Sequence, residues 1–146
     1  MTEVAFHFGA PDRVQYTCRL LRKVVGTGMG AVVLAEPHVL QALDSGLWAV
    51  GATDFVTHAV QDAPQGQARR ASVLMATELP EAIDGREVLV NLHTQRPVHV
   101  QPFSRVIEVV SAQGDDRDSA RAKWRQYTAA GYAIVRHDLQ LREARA

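Results

Sequence analysis

Apolar and polar residues alternate along "EVAFHF" at 3–8, the pattern and residue types of a strand, and the spacing then lengthens to that of a helix. In "APDRVQYTCRLLRKVVGTG" the apolar positions Val14, Cys18, Leu21 and Val25 recur at helical intervals up to a glycine stop. "AVVLA" at 31–35 is a short apolar run of the kind buried on both faces of a sheet. "PHVLQALDSGLWA" predicts a second helix, with Pro37 acceptable near its start and Val39, Leu40, Leu43 and Leu47 facing inward. The residues after Trp48, including Phe55, read as a loop or one short turn, and "QDAPQGQARRA" at 61–71 as an exposed loop or mobile connection. Three further strands are predicted in "SVLMAT", "EVLVNL" and "SRVIEVVS", separated by the turn signal "IDG" and by "RPVHVQPF". A helix follows over "DSARAKWRQYTAAGY" at 118–132, with Asp115 and Asp116 before it and Gly131 as its cap, and "YAIVRHDL" adds a last strand at 132–139.

Strands alternating with helices of this length predict an α/β fold of three layers, a mixed and mostly parallel sheet flanked by helices. The adjacent strands near 87–110 predict an antiparallel component within it. With no internal repeat and no linker, residues 1–146 are expected to form one domain.

Composition narrows the class. A 47% hydrophobic content fits a globular chain, and no apolar run approaches the ~18 residues of a membrane span. The start, "MTEVAFHFGAPDR", has no basic residues leading into an apolar block, so the expected location is the cytoplasm, with no membrane partner. Sixteen basic residues balance sixteen acidic ones, which argues against a broad surface for gripping duplex DNA through its phosphates. Any charge effect must therefore be local. Single Cys18 excludes an internal disulfide and is expected to be a small buried residue.

Three features invite a catalytic reading, and each has a plainer one. "GTGMG" at 26–30 runs helix, glycines, strand, the reverse of the strand-to-helix order of a phosphate-cradling loop, so it is expected to stop a helix. None of the six histidines pairs with another at i, i+4, so no metal site is expected, and no cofactor either. Neither a "GxSxG" motif nor a cysteine on a plausible elbow is present.

The last long helix is different. At about 100° per residue, Arg117, Arg121, Trp124 and Arg125 share one sector, beside a stripe of Ala120, Trp124, Tyr127 and Gly131. Such a basic face is either simply solvated or a surface where planar guanidiniums pair with carboxylates beside an aromatic anchor, which suits a short acidic peptide. Trp48 and Phe55 form a second candidate, either a lid over the core or contacts for a partner.

"LWAVGATDFVTH" and "ARAKWRQYTAAGY", with "VIEVVS" between them, resemble the chi subunit family of bacterial DNA polymerase III holoenzyme. The resemblance follows element order over most of the chain, is strong in those two segments, and carries little over 61–105. It implies a fold akin to nucleotide-binding domains without nucleotide chemistry, in an accessory protein of the clamp loader that is not itself an enzyme. It further implies two partners: the psi subunit, and the acidic C-terminal tail of single-stranded DNA-binding protein, which ends in aspartates, proline and a terminal phenylalanine. By the same resemblance Arg121 falls on the arginine for the tail carboxylates, Arg117 on a second basic position and Trp124 on an aromatic lining the tail pocket. Tyr127, Gly131 and Tyr132 continue that motif as packing and strand entry, while Phe55 and Trp48 fall on the psi-binding side. The loop from Ser111 to Asp116 is shorter than the family pattern, which leaves the far wall of the tail pocket open. The alternative is a small nucleotide-binding enzyme on the same fold; direct capture of single-stranded DNA by arginines and rings is a third, weakened by the neutral charge.

Overall fold

The computed structural model describes residues 2–48, 58–60 and 71–139. Seven strands form one sheet, in chain order β1 (Glu3–Ala10), β2 (Ala31–Leu34), β3 (His58–Val60), β4 (Val73–Ala76), β5 (Val88–Asn91), β6 (Arg105–Ser111) and β7 (Ile134–Asp138). Three helices are seen among the described residues: α1 (Arg13–Gly26), α2 (Pro37–Trp48) and α3 (Gly114–Ala129). The spatial strand order is β3-β4-β2-β5-β6-β1-β7, so β3 and β7 are the two edges.

Every pairing in that sheet is parallel. The antiparallel component expected near 87–110 does not form: β5 and β6 run in the same direction, from Val88 opposite Arg105 to Asn91 opposite Glu108. Residues 92–104 carry the chain back across the sheet instead of turning in a hairpin. Pro97 and Pro102 disfavour a helix in that return, so an irregular segment packs the buried Val100 and Phe103 onto the sheet where a helix would otherwise lie. The sequence pattern also passed over β3, a three-residue strand at the edge.

Burial follows strand parity. Val33, Met75, Val90 and Ile107 face α1 and α2, which contribute Cys18, Leu21, Leu43 and Leu47. Val32, Leu74, Leu89 and Val106 face the other way, under α3 and the 92–104 segment, with Ala120 and Tyr127. Each fully buried Leu or Phe side chain stabilises the fold by roughly 1.5–3 kcal/mol, so the three layers rest on both faces of this sheet.

The helix ends explain two glycines. After α1, the amides of Gly28 and Met29 donate to the carbonyls of Val25 and Val24 at 2.9 and 3.3 Å, with Gly28 at φ 87°. After α3, Gly131 at φ 90° and Tyr132 donate to Thr128 and Tyr127 at 3.0 and 3.1 Å, and the Tyr132 ring meets that of Tyr127. Both are αL stops of the kind that favours glycine. "GTGMG" is thus a helix terminator leading into β2. At the front of α1, the Asp12 carboxylate accepts from the Gln15 amide at 3.0 Å and caps the helix.

Candidate functional site

Helix α3 is fastened by an unusual polar core. Glu108, fully buried in the middle of β6, accepts from Lys123 Nζ at 2.7 Å, from the Tyr127 hydroxyl at 2.7 Å, and from Asn91 Nδ2 at 2.9 and 3.1 Å. Lys123 also donates to the His93 carbonyl at 2.9 Å, and Ser119 Oγ to the Thr94 carbonyl at 2.6 Å. Burial, reinforced by the Glu108 carboxylate, pushes the Tyr127 hydroxyl well above its ordinary pKa. These bonds fix α3 by its inner stripe and by the flank that faces residues 92–96. Sequence reading missed this network, although a signal was available. In "RVIEVVS" both parities are apolar, so the lone acid had to be buried and therefore paired.

The opposite flank of α3 carries the predicted tail-binding residues, and it is open. Arg117, Arg121 and Arg125 are exposed; the Arg121 side chain is 67% accessible and lies 3.7 Å from an equally exposed Asp118 carboxylate. Trp124 is half-buried, its ring 5.1 Å from that of Phe6 and 6.2 Å from that of Phe8. The fold therefore holds Trp124 against β1 while leaving the guanidiniums in solvent. Two neighbours escaped sequence reading: Phe8, and Arg136 of β7, whose guanidinium carbon sits 4.6 Å from the Phe8 ring centroid. Parallel pairing of β1 with β7 brings them together, and the separation in sequence hid it.

The second candidate lies at the other side of the sheet. Trp48 ends α2 and is 63% exposed. Its ring meets that of His58 in β3 at 5.6 Å, edge to face, and His58 Nε2 lies 2.9 Å from the Asp44 carboxylate one turn back on α2. Phe55, predicted beside it, lies outside the described residues.

At the carboxyl ends of the strands, where doubly wound folds bind ligands, the space between the starts of α1 and α3 is bridged. Arg13 lies 3.4 Å from Asp116 and donates to the Leu92 carbonyl at 3.1 Å, while Ser111 Oγ donates to Asp116 at 2.5 Å. Asp116 therefore ties β6, α1 and α3 together. Asp115 and Asp116 occupy the first turn of α3, where the dipole favours them, and no side chain caps the helix. No group of three or more metal-ligating side chains occurs among the described residues. A cavity of about 680 Å³ opens over β2 and β5, lined by Leu34, His93, Arg96 and Phe103 among others; Arg117, Arg121 and Trp124 take no part in it. Cys18 is buried as expected, and burial pushes its thiol pKa up.

Comparison with known proteins decides the family. The model of the family described as "DNA polymerase III chi subunit, HolC" matches residues 1–135. The chain belongs to this chi family. Curated members similar to it include DNA polymerase III subunit chi of Pseudomonas aeruginosa, 31% identical over 128 residues covering 87% of each chain. The protein of the same name from Escherichia coli K12 is 29% identical over 121 residues, covering 82% of this chain and 81% of that one. Among solved structures, the C-terminal domain of S. cerevisiae Dbp5, bound to Gle1 and IP6, has a similar fold: TM-score 0.63 and 14% identity, covering 93% of this chain and 90% of that one. That likeness concerns the fold alone. In this chi-family chain, as in the sequence expectation, the fold is α/β with helices on both faces of the sheet. No helix among the described residues is long and apolar enough to cross a membrane.

Proposed function

We propose that this chi-family chain is a non-catalytic accessory subunit of the bacterial replicative clamp loader, working in the cytoplasm as a bridge. One end engages the psi subunit through Trp48 and Phe55; the other engages the acidic C-terminal tail of single-stranded DNA-binding protein through Arg117, Arg121 and Trp124. The observation that carries this reading is the open flank of α3, where exposed arginines stand beside a ring held in place by Phe6 and Phe8. Guanidiniums pair with carboxylates, and the ring offers an apolar surface for a terminal phenylalanine.

Bridging is supported by placement. Trp124 packs on β1 and Trp48 on the β3 edge, five strand spacings apart and under opposite faces, which is roughly 25 Å. Sites so far apart bind independently, so a clamp loader can stay attached while weak tail contacts on a coated strand add up by avidity. The Arg13–Asp116 bridge across the usual ligand crevice supports the non-enzymatic reading over a nucleotide-binding one.

The test is a fluorescence titration of Trp48→Phe protein, in which Trp124 is the sole indole, with an acidic peptide ending in phenylalanine. A saturable change in emission that weakens as salt rises is expected, because exposed ion pairs are screened over about 8 Å at physiological strength. An unchanged spectrum at millimolar peptide would rule out this flank as the tail site.

A further inference from the structure

The geometry points to Arg136 as a second wall of the α3 site, so that an acidic peptide lies in a groove gripped from both sides. This inference rests on the assignment of the α3 flank to an acidic tail. On one wall stand Arg117, Arg121 and Trp124; on the other stands β7, with Arg136 on the same face of the sheet as Phe6 and Phe8. The floor is aromatic, and Ile134 and Tyr132 are half-buried against the same cluster.

Three features suit Arg136 to this task. Its guanidinium lies over the Phe8 ring, 4.6 Å from the centroid, which orients the planar fork without using up its hydrogen-bond donors. Its ion pair is a loose one: Asp138 stands 3.8 Å away, longer than a hydrogen bond, just as Asp118 stands 3.7 Å from Arg121. Both arginine side chains are more than half exposed, 67% for Arg121 and 61% for Arg136. Ion pairs of that length with the guanidinium in solvent contribute little, so an incoming carboxylate can engage either arginine at small cost and gain a bidentate partner.

The experiment is isothermal titration of an acidic, phenylalanine-ended peptide into wild-type, Arg121→Ala, Arg136→Ala and Arg136→Lys proteins at two salt concentrations, with melting curves as a folding control. Arg121→Ala should abolish measurable binding. Arg136→Ala should weaken it about tenfold, the scale of one charge-assisted contact, and should flatten the salt dependence. Arg136→Lys should recover only part of the loss, since the charge remains while the planar stack is gone. If Arg121→Ala abolishes binding while Arg136→Ala binds as wild type, the second wall is refuted and the α3 site stands. If Arg121→Ala binds normally, the site assignment falls and takes this inference with it. A single-stranded oligonucleotide that displaces the peptide through Arg136 would show a nucleic-acid surface and overturn the proposal.

Discussion

Replacing Lys123 with methionine removes the ammonium from the buried network and keeps the length of the side chain. Glu108 then loses its 2.7 Å partner on Oε1 and keeps there only the Asn91 amide at 3.1 Å, while the His93 carbonyl loses its 2.9 Å donor. With Lys123 and Glu108 both buried, removing one partner leaves a charge with too few donors, which costs about 3–5 kcal/mol. Against a typical total of about 5–15 kcal/mol that is a large fraction, and at roughly 3 °C per kcal/mol it lowers Tm by about 10 °C. Adding Glu108→Gln removes the stranded charge and keeps acceptor and shape, so the double variant should recover about 2 kcal/mol or more over the sum of the single losses. Urea unfolding of the four proteins of this cycle measures the coupling. A loss below about 1 kcal/mol for Lys123→Met, or a double variant no better than additive, would refute the claim that this ion pair fastens α3.

Two further outcomes follow from individual contacts. Tyr127 has a folded pKa raised above its unfolded value near 10, so its contribution is intact below about pH 10 and is lost as pH climbs through that region, by up to about 1.4 kcal/mol per unit for one proton. Chemical denaturation between pH 8 and 11 should show that decline in the wild type and a flatter one in Tyr127→Phe, which also loses about 1.5–3 kcal/mol at neutral pH with its bond to the carboxylate. Gly46→Ala would set a Cβ 2.8 Å from Cys18 Sγ where α2 crosses α1, so overpacking of about 1–3 kcal/mol should outweigh the helix-propensity gain of up to about 1 kcal/mol and lower Tm in a thermal melt.

The chain announced its elements more readily than its contacts. Helical periodicity located α1, α2 and α3, while short apolar or alternating runs located six of the seven strands, β2, β4 and β5 among them because they are buried on both faces. The pattern missed β3, whose three residues are too few for a period to show. It misjudged the direction of β6, because strand pairing depends on where the return segment packs, and the burial of Val100 and Phe103 is a tertiary fact. The site was half legible. Helical spacing put Arg117, Arg121 and Trp124 on one flank of α3, and the role proposed for that flank came from the family resemblance alone. Phe8 and Arg136 were invisible because only the β1–β7 pairing unites them, and the role of Lys123 was invisible because only the packing of α3 on β6 sets it against Glu108.

The bridge itself is tested most directly by capturing Arg121→Ala and Trp48→Ala variants with immobilised psi subunit and, separately, with immobilised acidic tail peptide. Arg121→Ala should be retained by psi and lost from the peptide, and Trp48→Ala should show the reverse. Both ligands lost together in a folded variant, or neither lost in either, would contradict two independent docking surfaces at opposite sides of the sheet.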